Sequence, residues 1–144
     1  MAANVQAMSV QFKNDLLNGT HSLTTSSNTI NAALALINQS ISGSTLQYSA
    51  GWEVSGAGYS AGGVAVTNGT APTYSGTTAY WTPSANIVYN GVTLTSAFDT
   101  VALYYTADNH AIGFWNFGST TITAGTLTLN MPTNAAGTAL IQLN

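Results

Sequence analysis

No cysteine occurs in the chain, so disulfides and thiolate metal sites are excluded and nothing calls for an oxidising compartment. Charge is nearly absent as well. Lys13 is the single cation and Asp15, Glu53, Asp99 and Asp108 are the acids, 3% of the residues against the ~25% of an ordinary domain. Without a basic patch there is no electrostatic footprint for a phosphate backbone, which excludes nucleic-acid binding, and anionic membrane surfaces are excluded on the same ground. Long apolar runs are missing too. The longest, Ala32 to Ile37, falls far short of the ~20 residues of a membrane-spanning helix. Met1 to Val10 has neither a basic nor an apolar region of the kind that marks a cleaved signal.

What is present is apolar and polar-neutral. Apolar residues make up 45% of the chain and aromatics 10%, which argues for a folded core rather than low-complexity disorder. At 144 residues the length suits one domain, 1–144, able to bury about 70% of its unfolded surface. Its surface must be built from Thr, Ser, Asn and Gln, which hydrate well but give little repulsion between copies. A surface cleared of charge tolerates being packed by neighbours, because an unpaired ion is costly to bury.

The densest aromatic stretch, Val101 to Phe117, reads as a β-hairpin whose turn is Ala107-Asp108-Asn109-His110. Val101, Leu103 and Tyr105 should line one face, with Ala102 and Tyr104 on the other. In the second strand Ile112 and Phe114 should oppose Trp115 and Phe117. Neither face is polar, so the hairpin should lie mid-sheet, covered by the core on one side and by a helix or a partner on the other.

At the N-terminus, Val5, Met8, Phe12 and Leu16 recur at three- and four-residue steps. Asn4 is placed to cap this segment and Asn18-Gly19 to end it, so one amphipathic helix is expected over about residues 4–18. Its narrow stripe suits a sheet face or a neighbour's groove. Asn28 to Ile37 is ambiguous between helix and strand and is read as a strand. From Thr45 onward short β runs are punctuated about every ten residues, with turns expected at Gly62-Gly63, Asn68-Gly69, Ser75-Gly76 and Asn90-Gly91. Pro72 and Pro83 belong at strand starts or edges. Gly125 should mark a turn or bulge, and Ala139 to Leu143 a terminal strand inside a sheet. The fold class is all-β, a β-sandwich of jelly-roll-like type with one N-terminal helix.

Candidate chemistry is sparse. His110 and Asp108 share the hairpin turn and Asp99 precedes it, a carboxylate–imidazole grouping that suits a metal or a base. No third ligand or nucleophile pattern accompanies them, so an exposed turn is the preferred reading there; His21 is the one other histidine. Glu53 lies between Trp52 and Val54, where partial burial would suit catalysis, but it lacks a second carboxylate at hydrolytic spacing. Gly56, Gly58, Gly62 and Gly63 lack the Lys and Ser or Thr of a phosphate loop, and are read as holding a tight loop beside Tyr59. Trp52, Trp81 and Trp115 with the many tyrosines would suit a sugar-stacking platform, though aromatics of β proteins more often fill cores. The Asn-x-Thr/Ser matches at Asn18, Asn38 and Asn68 are expected by chance in such a composition. No catalytic residue, cofactor or metal is assigned.

The stretch Glu53-Val54-Ser55-Gly56-Ala57-Gly58-Tyr59-Ser60-Ala61-Gly62-Gly63 resembles a family of small structural proteins encoded among the virion genes of tailed bacteriophages. The order of the remaining segments resembles it too: the N-terminal helix ending in Asn-Gly, Thr-rich strands, Val101 to Tyr105, then Ile112-Gly113-Phe114-Trp115-Asn116-Phe117-Gly118, and Leu127 to Pro132. The resemblance implies a non-enzymatic capsid decoration, or cement, protein on the virion exterior. Its partners would be the major capsid protein and copies of itself, most simply as a trimer, with Val5, Met8, Phe12, Leu16, Tyr104, Trp115 and Phe117 as interface candidates. The alternatives are a receptor- or sugar-binding module of a tail or fibre, and a tail or connector component.

Overall fold

The computed structural model describes residues 2–24 and 29–144. The strands are β1 Ala7–Met8, β2 Ile30–Leu36, β3 Gly56–Ala57, β4 Val64–Ala65, β5 Thr73–Ser75, β6 Thr78–Trp81, β7 Ile87–Leu94, β8 Phe98–Tyr105, β9 Ala111–Thr120, β10 Gly125–Leu129 and β11 Ile141–Leu143; the helix is α1, Val10–Asn18. All strand pairs are antiparallel, in sheets ordered β1-β9-β8-β2-β4, β10-β7-β3 and β11-β6-β5. The architecture is β-sandwich-like, with one N-terminal helix.

The aromatic hairpin is β8 and β9, and β8 runs between β2 and β9 in the middle of the largest sheet. Both faces of that sheet are buried. On one face Ile30, Ala32, Leu34, Val101, Leu103, Tyr105 and Ile112 join Ile87, Tyr89, Val92 and Leu94 of β7, Trp81, Ile141 and Phe12 in the main core. On the other, Ala33, Ala35, Ala102, Tyr104, Ala111 and Phe114 pack with Ile41, Trp52 and Tyr48. The second cover is therefore this chain's own 41–52 segment rather than a helix or a partner. Tyr48 stacks on Tyr104 with ring centroids 4.3 Å apart.

The expected parity of β9 fails at one residue. Tyr104 pairs with Ala111 and Leu103 with Gly113, which leaves Ile112 unpaired as a bulge. Ile112 consequently joins the main core, while Phe114 lies on the opposite face with Tyr104. One extra residue has exchanged the faces of everything after it.

The helix is shorter than its periodicity suggests. Residues 7 and 8 are drawn into β1, whose backbone pairs with Phe114 and Gly113 on the open edge of β9. Ser9 is the cap: its side chain accepts from the Gln11 N–H at 3.1 Å, while its hydroxyl donates to the Thr45 carbonyl. Gly19 ends the helix in the left-handed region, where Asn18-Gly19 was expected to end it. Asn4 has a different task. Its amide donates to Leu36 O and Asp99 Oδ1 and its oxygen accepts from the N–H groups of Gln39 and Ile41, so it pins the turn after β2.

The ambiguous segment is a strand, β2; Asn28 lies outside the described residues. Ser75-Gly76 does make a hairpin, between β5 and β6. Asn68-Gly69 does not turn a hairpin: the Asn68 amide donates to Leu23 O and its oxygen accepts from the Trp81 indole, so its side chain bridges segments. Asn90-Gly91 lies inside β7 as a bulge, with Gly91 at φ +60° opposite the register shift of β10. Ala124-Gly125 turns into β10 as expected, with Ala124 at φ +48°. The terminal strand β11 pairs with β6 but forms a sheet edge.

Candidate functional site

The glycine motif folds as a cover for the outer edge of β2. Val54 N–H donates to Leu34 O, the Leu34 N–H donates to the Tyr59 hydroxyl, and β4 pairs with Asn31 and Ala32. Each bond occupies an edge group that would otherwise invite pairing with another chain. At its centre the buried Glu53 carboxylate accepts from the hydroxyls of Tyr48 and Tyr59 and from the Gly62 N–H. Tyr104 and Asn31 both donate to Gly62 O. Gly56 and Gly58 lie against the backbone of β7. The donors around Glu53 are committed to holding this loop, which is the work of a structural carboxylate rather than of an acid-base pair.

The hydroxyls here are held neutral. Burial first, then the bond to Glu53 and its charge, push Tyr48 well above the ordinary phenol range. Burial raises Tyr59 further, the Leu34 N–H partly opposing, and burial with the Glu53 charge raises Tyr89. A phenol whose folded-state pKa exceeds its unfolded value of about 10 contributes stability that is whole below that pH and is lost as pH rises through the folded pKa. Tyrosinate absorbance and circular dichroism, recorded together, should show these three phenols ionising only as the fold is lost above about pH 10. Their smooth ionisation in an intact fold would contradict this arrangement.

A second polar cluster joins three segments that the sequence keeps far apart. Asp15, in the last turn of α1, points Oδ2 at His110 Nδ1 at 2.8 Å, and Gln11 Nε2 donates to its Oδ1 at 2.9 Å. Asp108 accepts the His110 backbone N–H on Oδ1, and its Oδ2 lies 2.6 Å from His21 Nε2 and 3.4 Å from His110 Nδ1. His21 is stacked on Tyr105 with centroids 4.1 Å apart and is nearly edge-on to the His110 ring. Asp15 is 1% exposed and His21 8%.

The exposed-turn reading of His110 and Asp108 does not hold: both are half-buried, and a third group meets them. The third group was on the helix, 95 residues from His110, where no local spacing could reveal it. Partial burial pushes the Asp108 carboxyl up, but the bonds from His21 and the His110 N–H outweigh it and the net shift is downward. Burial and the two carboxylates raise Tyr105. Its hydroxyl is buried without a hydrogen-bond partner among the described residues. Asp99 stays apart, bonded to Asn4 and Thr100.

The interface candidates divide by accessibility. Phe12 is fully enclosed and Tyr104 is 4% exposed under Tyr48, so neither can meet a partner; both serve this chain's own cores. Val5 and Phe117 are exposed. Met8 and Trp115 line an open groove of about 300 Å³ with Gln6, Leu140 and Gln142, and Trp115 and Phe117 line a second of about 260 Å³ with Leu129 and Met131. Leu16 is half-buried against the main core. Trp52 and Trp81 are buried, which removes a three-tryptophan sugar platform. Among the described residues no helix is long and apolar enough to cross a membrane.

Comparison of the chain with protein-family models, with curated proteins and with solved structures finds no match, so the likeness to phage virion proteins rests on the residues quoted for it.

Proposed function

We propose that this is a non-enzymatic virion structural protein of a tailed bacteriophage, a decoration or cement protein on the capsid exterior that binds the major capsid protein and copies of itself, as a trimer. The observation that carries the reading is how little charge is left on the surface. Asp15 and Glu53 are buried, Asp99 is tied to Asn4 and Thr100, and Asp108 to the histidines; Lys13 is the charged side chain left exposed. Exposed Val5, Val10, Leu17, Tyr74 and Phe117 stand instead among Thr, Ser and Asn. Such a surface can be covered without stranding an ion.

A cement protein works by multivalency. One oligomer bridging several capsomers makes its later contacts intramolecular, so release needs several to open together. Bound to the assembled shell and not to its parts, it stabilises the shell by mass action. With so little Coulombic attraction to screen, shell occupancy should change little with salt.

Deletion of the protein tests the reading through parallel thermal-release and adsorption assays. Particles should assemble, rupture more readily on heating or osmotic shock, and adsorb normally. Intact thermal stability with lost adsorption would replace the cement reading with a tail adhesin. A steep fall in occupancy at moderate salt would contradict the interface chemistry.

A further inference from the structure

We propose that Asp15, His21, Asp108 and His110 form a binding site for one divalent transition-metal cation, with Zn²⁺ the best fit to the donor set. Charge is the first argument. Two carboxylates converge on two imidazoles here, one carboxylate only 1% exposed, and Lys13, the chain's one Lys or Arg, makes no ion pair among the described residues. Carboxylates this buried are costly unless positive charge faces them, and a divalent cation held by both carboxylates and both imidazoles supplies that charge in one piece.

Geometry is the second argument. Four ligands around a tetrahedral zinc, with bonds near 2.0–2.1 Å, stand about 3.3 Å from one another. Here the edges Asp15 Oδ2–His110 Nδ1, His110 Nδ1–Asp108 Oδ2 and Asp108 Oδ2–His21 Nε2 are 2.8, 3.4 and 2.6 Å. The ligand atoms of Asp15, His21 and His110 all lie within 4.8 Å of one another. On cation binding the 2.8 and 2.6 Å edges would lengthen by several tenths of an ångström, while the wider Asp15–His21–His110 set would draw together around the ion. Two imidazoles among the four donors favour Zn²⁺ over Mg²⁺ or Ca²⁺, which take oxygen shells of six or more.

The surroundings are the third. Each carboxylate has one oxygen held, Asp15 by Gln11 and Asp108 by the His110 N–H, and turns the other toward the imidazoles. Stacking on Tyr105 fixes the His21 ring, and backbone pairing of His110 with Gln47 fixes the turn. Such outer contacts orient metal ligands and set affinity. The cation would clasp the end of α1, the segment after it and the β8–β9 turn. This role is independent of the virion assignment.

The experiment is calorimetric titration of the chelator-treated, untagged full chain with Zn²⁺, repeated with Mg²⁺ and followed by thermal melts. One equivalent of Zn²⁺ should bind, Mg²⁺ should neither bind comparably nor displace it, and the melting temperature should rise by roughly 5–10 °C at about a hundredfold excess of free Zn²⁺ over Kd. Gln11→Ala, which leaves all four ligands in place on a helix that tolerates alanine, should weaken binding about tenfold or more. Asp108→Asn, near-isosteric and partly exposed, should weaken it more. Absence of stoichiometric Zn²⁺ binding by the parent chain would overturn the site, as would binding of equal strength in folded Asp108→Asn and His110→Ala proteins.

Discussion

Gly63→Ala is expected to lower stability by about 3 kcal/mol and the melting temperature by roughly 10 °C. Gly63 lies at φ +77°, and a Cβ built there would stand 1.8 Å from the Ala32 carbonyl oxygen and 2.8 Å from the Ala33 Cα. Both atoms are backbone of β2, so relief cannot come from a side chain turning away. Either β4 moves off β2 or the Glu53 loop opens, and both expose the edge that the motif covers. Gly76→Ala is the control. It also has positive φ, +58°, but nothing lies within 4 Å of the added carbon, so only the left-handed backbone cost of about 1–2 kcal/mol applies. Chemical denaturation of the two variants measures the difference, and equal losses would mean that the close approach at Gly63 is not what the position requires.

Phe12→Asp should abolish folding. The ring is fully enclosed in the main core, 6.4 Å from the Tyr105 ring, on the same helix as the buried Asp15 carboxylate. Truncation of a buried Phe alone costs about 3–5 kcal/mol, and an unpaired carboxylate in its place adds a desolvation cost of similar size. Those two together approach the whole stability of a domain, about 5–15 kcal/mol. Lys13→Ala, at an exposed neighbouring position, should stay within about 0.5 kcal/mol. Circular dichroism melts that found the two variants alike would contradict the placement of the helix.

Local patterning carried much of the fold. Two apolar faces at Val101–Phe117 identified a central hairpin, Gly19 identified a helix end, and the glycines of the 53–63 stretch identified a loop under backbone constraint. What local patterning missed has one physical cause: long-range partners outbid local preference. Residues 7 and 8 continue a helical periodicity, yet the bare edge of β9 offers their backbone a ladder. Asn4 is a good cap by type, but four hydrogen bonds, all at least partly buried, to segments more than thirty residues away employ it elsewhere. Ile112 has the right chemistry for either face, so nothing in its identity marks the bulge that reverses β9.

The same cause hid the polar cluster. His21 and Asp108 are separated by 87 residues, and Asp15 occupies a helix position that reads as ordinary solvated surface. In a chain with only four acids, two acids meeting both histidines is the pattern that composition offered and spacing could not place. Glu53 is the mirror case. Its neighbours Trp52 and Val54 signalled burial, and the structure supplies the Tyr and N–H donors that make burial tolerable.

The most direct test of the virion assignment is cryo-electron imaging of purified phage particles with and without this protein. The account predicts regularly spaced density on the outside of the capsid, at positions bridging capsomers, that vanishes in the deletion particles and leaves the tail unchanged. Density lost from the tail or fibres with an unaltered capsid exterior, or particles identical in both preparations, would contradict it.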